Sequence, residues 1–283
     1  MGALLSSLYL AEPQTADTIP AYVPQAHMWV GVRQRFDQFH QKLQLTLPQV
    51  ADGHTKHTGV LNCLNQRYYE TTSDESHGLL IGSWGKDTAT RPPRDVDTYF
   101  ILPPEVHARF EMRIGNRQSA LLQEVRNALM PTYPATEMRA DGQVVIVRFG
   151  SYAVEVVPAF LLTDGRYWIC DTSGQGSYKV TDPNAEARYI EQVDSSCNRN
   201  LRPLIRILKS WQAYCSVPIK SFQLELVAAE FLAQSPWGCT AIFISTGSCG
   251  TSLLTSAVKR QPTSLSLELV SGTFLALNGR AAH

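Results

Sequence analysis

A chain of 283 residues is long enough for one sizeable hydrophobic core or two smaller ones. Its 25 basic and 25 acidic side chains cancel, so no global field draws it to long nucleic acid or to an anionic membrane. A local basic groove stays open, and small-molecule phosphates suit the balance better than a genome. The six cysteines (Cys63, Cys170, Cys197, Cys215, Cys239 and Cys249) lack C-x-x-C spacing, which argues against a zinc ribbon or disulfide scaffold and for free thiols in a reducing compartment. The first residues have no basic n-region and no apolar run approaches the roughly 20 residues of a membrane span, so a soluble, cytoplasmic protein is expected.

Residues 1–24 carry Pro13, Pro20 and Pro24 and read as irregular. From Gln25 onward Trp29, Val30, Val32, Phe36, Phe39 and Leu43 recur at helical spacing, which predicts an amphipathic helix to about Leu45. A second helix is expected from Pro48 to Tyr69, interrupted near Asp52-Gly53. Within it His54 and His57 lie one turn apart; with no third ligand nearby they read as an ordinary solvated pair.

The next stretch organises the chain. The apolar run Leu79-Leu80-Ile81 ends in Gly82-Ser83, eleven residues of loop follow, and Asp95-Val96-Asp97 opens a second apolar run, Tyr99 to Leu102. This predicts strand, turn, strand. Residues two apart on a strand share a face, so Asp95 and Asp97 place two carboxylates side by side, and such a pair calls for a divalent cation with oxygen ligands. Its usual catalytic use is to hold Mg²⁺ against a nucleotide's phosphates. Gly82 lets backbone approach a phosphate, and Ser83 adds a hydroxyl and an N–H.

Pro103-Pro104 stops that strand, and Arg117 to Leu129 reads as a helix with Leu122, Val125 and Leu129 on one face. Val144 to Phe149, Gly150-Ser151 and Tyr152 to Val157 make a β-hairpin signal. Glu155 lies inside its second strand; alone it fits the solvent face of an edge strand, and beside the aspartate pair it fits a third metal ligand. Leu161 to Ile190 is expected as a loop-rich link with Gly165, Gly174, Gly176 and Pro183. Leu201 to Tyr214 is a helix lined by Leu204, Leu208 and Trp211, with Arg202, Arg206 and Lys209 on other sides, and Ser221 is expected to cap a further helix. Lys209 reads either as a solvated charge or as part of an anion site at that helix start.

Gly82-Ser83, Asp95-Val96-Asp97 and Val154-Glu155-Val156-Val157-Pro158-Ala159-Phe160 together resemble the nucleotidyltransferase signature of the polymerase-beta superfamily. The version is most similar to the bacterial cGAS/DncV-like nucleotidyltransferases (CD-NTases), which make cyclic oligonucleotide signals in anti-phage defence. Leu208-Lys209-Ser210-Trp211 and Ser221-Phe222-Gln223-Leu224-Glu225 resemble helical-lobe segments of that family, and the likeness spans roughly residues 28–235. It implies an α+β fold, a mixed sheet with flanking helices over 25–165, followed by a helical lobe over 166–235. It implies further that Asp95, Asp97 and Glu155 bind two Mg²⁺ (or Mn²⁺) ions. Gly82 and Ser83 would then grip the triphosphate of ATP or another NTP, and Lys209 and Ser221 would touch its phosphates. Two departures stand out: the family's third acid is commonly Asp where this chain has Glu155, and Asp87 stands where a small residue is usual.

The last 48 residues, 236–283, differ in character, with four charged side chains against thirteen Ser and Thr. They lack the aromatic, acidic helix that the family has here. Re-reading Ile242 to Leu253 in a shifted codon frame restores such a motif, so a frameshifted tail beginning near Trp237 is the working hypothesis. The leading functional expectation is a synthase of a cyclic di- or trinucleotide or short oligonucleotide. The alternatives are a nucleotidyltransferase acting on RNA or protein, disfavoured by the missing basic stripe, and an impaired nucleotide-binding module.

Overall fold

The computed structural model describes residues 28–235; the irregular segment expected at 1–24 and the tail at 236–283 lie outside them. Two helices come first, α1 (Met28–Leu43) and α2 (Leu47–Tyr69). A capping box at Thr46 and Gln49 starts α2, with Pro48 in its first turn, where a missing N–H costs nothing. The break expected near Asp52-Gly53 is absent: α2 runs through, and Gly53 is there because the Trp84 ring occupies the space a Cβ would need. The histidines differ as well. His57 is buried, its Nε2 3.0 Å from the Thr98 hydroxyl, and burial pushes its pKa down to about 4. His54 meets the Trp84 ring edge-on at 5.6 Å between centroids.

The sheet follows. β1 (Gly78–Leu80) leads through Ile81 into a single helical turn, α3 (Gly82–Gly85), and β2 (Asp95–Ile101) returns antiparallel to β1. α4 (Pro104–Glu111) and α5 (Arg117–Leu129) cross over. β3 (Glu137–Asp141), β4 (Val144–Arg148) and β5 (Ala153–Leu161) then form a meander whose last strand lies parallel to β2. β6 (Tyr167–Asp171) and β7 (Ser177–Thr181) pair onto the far end of β5, giving seven strands with the path β1-β2-β5-β4-β3. Residues 161–190 are therefore not a loop-rich link: their glycines mark turns. Gly165 (φ +84°) turns β5 into β6, and Gly174 and Gly176 (φ +61° and +84°) turn β6 into β7.

Alternation on the strands sorts the two faces. Val96, Phe100, Val145, Val147, Val154 and Val156 point to one side and build the main core with Leu61 and Leu64 of α2 and Leu121, Leu122 and Val125 of α5. The opposite face buries Tyr99, Val157, Ala159 and Ile169 at one end and leaves Asp95, Asp97 and Glu155 at the other. Three helices complete the described chain: α6 (Pro183–Ser196), α7 (Leu201–Cys215) and α8 (Ser221–Gln234). They share a second core of Ile190, Val193, Leu204, Ile205, Leu208, Leu224 and Leu232. Lys220, not Ser221, occupies the N-cap position of α8; Ser221 is the first residue of the helix. The cysteines at 63, 170, 197 and 215 are free thiols, and among the described residues no helix is long and apolar enough to cross a membrane.

Candidate active site

The acids meet because of strand register. Asp97 pairs with Glu155 across the parallel β2/β5 ladder, and Asp95, two residues back on β2, shares their face. One carboxylate oxygen from each lies within 4.8 Å of the others, and among the described residues no other such group of three metal-ligating side chains occurs. The extra methylene of Glu155 does not carry it out of reach. Burial, then the charges of Asp95 and Glu155, hold the Asp97 carboxyl well above its usual range despite the opposing pull of Lys86 and Lys209. Three hard oxygen donors carrying more negative charge than their surroundings neutralise form a set that can hold a divalent cation.

Gly82 sits against this group. Its φ of +59° is left-handed, and a Cβ there would run into the Asp97 carboxylate, so only glycine brings the start of α3 this close. The Ile81 N–H donates to the Asp97 carbonyl at 3.0 Å, which pins the turn to β2. Gly82, Ser83, Asp95, Asp97 and Glu155 line a cleft of about 1100 Å³ between the sheet and helices α6–α8. Lys209 and Ser221 line the same cleft from the helical side.

Lys209 is not a solvated charge. It is buried, and its ammonium donates to Thr88 Oγ1 at 2.9 Å, to the Thr88 carbonyl at 3.2 Å, and pairs with Glu225 at 2.6 Å. Glu225 in turn pairs with Lys86 at 2.6 Å and accepts the Thr88 hydroxyl at 2.9 Å. Lys86 completes the cluster through Glu186 at 3.0 Å. Burial, offset in part by Lys86, raises Glu186 to about 7. Beside the cluster, Arg206 binds the Asp87 carbonyl and carboxylate, both at 2.6 Å, and donates to the Ala89 carbonyl. The Asp87 charge is therefore engaged by a guanidinium. Lys86, Thr88 and Glu225 carry no site role in the reading of the sequence above. Lys86 lies only four residues past Gly82, and Glu225 stands between Leu224 and Leu226, an acid in apolar company, which is the signal that could have exposed it.

A mixed sheet with paired aspartates on one strand, a glutamate on its parallel neighbour and a Gly-Ser turn above them defines the polymerase-beta-like nucleotidyltransferase class. Residues 30–194 match the family described as Second Messenger Oligonucleotide or Dinucleotide Synthetase domain (SMODS), and the chain belongs to it. A probable cyclic nucleotide synthase of Bacillus cereus is 22% identical over 179 residues, covering 53% of this chain and 54% of its own. A cyclic AMP-AMP-AMP synthase of an Acinetobacter species is 24% identical over 159 residues, covering 55% and 46%. The chain thus spans about half the length of the curated relatives it matches. In fold it is similar to Escherichia coli MS115-1 CdnC, whose structure was determined with ATP, with a TM-score of 0.56 at 18% identity over 76% of this chain and 68% of that one.

Proposed function

We propose that this protein is a metal-dependent nucleotidyltransferase that joins nucleoside triphosphates into a cyclic di- or trinucleotide, or a short oligonucleotide, serving as a cytoplasmic signal in anti-phage defence. The observation that carries this reading is the convergence of three carboxylates from β2 and β5 against Gly82, in a cleft also lined by two buried lysines. Membership of the SMODS family and the synthase relatives support it.

Asp95, Asp97 and Glu155 would hold a pair of Mg²⁺ or Mn²⁺ ions, which in such sites offset charge at the reacting phosphorus and lower the pKa of the attacking hydroxyl. The chain's own groups do the rest. Gly82 lets the turn carrying Ser83 lie directly against Asp97, and Ser83 and Ser221 line the cleft from the sheet side and the helical side. Lys209, with Lys86 beside it, supplies positive charge for the leaving pyrophosphate. The helical wall and the sheet hold donor and acceptor in line, which converts an encounter of two nucleotides into a step within one cleft.

The test is to incubate the protein with labelled ATP, GTP, CTP and UTP plus Mg²⁺ or Mn²⁺ and then with phosphatase. A phosphatase-resistant small product that disappears in Asp95→Asn with Asp97→Asn is expected. Label on RNA or protein alone, or product surviving the double substitution, would refute the assignment.

A further inference from the structure

Five groups of the cleft wall, Lys86, Thr88, Glu186, Lys209 and Glu225, form one buried polar cluster drawn from the loop after α3 and from α6, α7 and α8. Stability does not explain it. Buried ion clusters are often matched or exceeded in stability by apolar residues of the same volume, and the apolar core of α6–α8 lies alongside. All five residues line the cleft, and both ammonium charges act on the Asp97 carboxyl.

We propose that Glu225 is a positioning residue: from α8 it fixes the ammonium groups of Lys86, on the loop after α3, and Lys209, on α7, on the wall that receives a nucleotide's phosphates. This rests on the reading of the cleft as a triphosphate site and adds Lys86 to the groups that contact phosphate. Glu225 pairs with both lysines and accepts the Thr88 hydroxyl, and among the described residues no other side chain is seen to do all three. It also keeps them charged. Burial, with Lys86 and Arg206 nearby, lowers the pKa of Lys209, and Glu225 is the group that opposes this. Burial works against Lys86 too, yet Glu225 and Glu186 hold its pKa above the usual value. Two ammonium groups stand against one firmly ionised carboxylate, Glu225, whose pKa the lysines pull down against the effect of burial. The second acid, Glu186, pairs with Lys86 at 3.0 Å, and burial raises its pKa to about 7.

The experiment measures binding of α,β-methylene ATP and of AMP, with Mg²⁺, to the native chain and to Glu225→Gln, Lys86→Met, Lys86→Met with Lys209→Met, and the triple variant. Glu225→Gln is expected to weaken the triphosphate by about tenfold or more while AMP changes by less than about twofold. Adding Glu225→Gln to the double lysine variant should cost nothing further, because its effect runs through those lysines. Equal losses for AMP and the triphosphate, or additive losses in the triple variant, would show a merely structural role and overturn the proposal. Should Glu225→Gln fail to fold, Lys86→Met, which leaves the Glu225–Lys209 pair in place, decides alone: native triphosphate affinity in it overturns the proposal. Failure of the native chain to bind either nucleotide would instead remove the reading of the cleft, a different result from native binding with indifferent variants.

Discussion

Replacing Gly82 by alanine isolates the close approach on which the site depends. Two costs can be worked out. The left-handed φ of +59° charges an L-residue about 1–2 kcal/mol, which lowers Tm by roughly 2–8 °C for a chain of this size. The new methyl would overlap the Asp97 carboxylate, so either the turn or Asp97 must shift by a substantial part of an ångström. A displacement of that order in a reacting geometry costs about 100-fold in rate. Gly165→Ala is the control: its φ of +84° carries a comparable backbone penalty in the turn between β5 and β6, with nothing within 4 Å of the added Cβ. Thermal melts and initial rates of product formation from labelled ATP should therefore show both variants moderately destabilised and only Gly82→Ala strongly impaired. Equal rates in the two variants, or a native rate in Gly82→Ala, would refute the argument that Asp97 needs the space.

Two further outcomes follow from the charges. The Asp97 carboxyl holds its proton above the usual 3.8, so its contribution to stability is present below that value and is lost as pH rises from there towards the folded pKa. In chelator at pH 7, Asp97→Asn should accordingly melt higher than the native chain, while added Mg²⁺ should raise the native Tm and leave the variant nearly unmoved; the reverse order in differential scanning fluorimetry would contradict the account. Arg206→Ala removes donors to the Asp87 and Ala89 carbonyls and the Asp87 carboxylate, and is expected to cost about 1–3 kcal/mol in urea denaturation. It should raise KM for triphosphate more than it lowers kcat, and a native KM would show that the loop from Lys86 to Thr90 needs no such tether.

Much of the fold was legible where local signals are strong. The periodicity from Pro48 to Tyr69 and from Arg117 to Leu129 marked α2 and α5, and the β-rich runs around Gly150-Ser151 marked β4 and β5. The misses share a cause. β3 is a short strand of alternating charge, Glu137, Arg139 and Asp141, with no apolar run to announce it. α4 begins at Pro104: the proline pair that stops β2 also starts a helix. The glycines between Leu161 and Ile190 read as a linker because a turn and a loop use the same residues; only pairing of Ile169 with Ala159 and with Lys179 made strands of the segments between them.

For the candidate site the division is sharper. Spacing alone put Asp95 and Asp97 on one face, since the pleat of a strand is a local property, and it marked Gly82-Ser83 as the bend above them. That Glu155 stands opposite Asp97, and that Lys86 and Lys209 both pair with Glu225 in the cleft wall, was decided by the tertiary structure. A parallel register across the crossover of α4, α5, β3 and β4, and an ion pair between Lys86 and the distant Glu225, depend on how whole elements dock, and no local stretch of sequence carries that information.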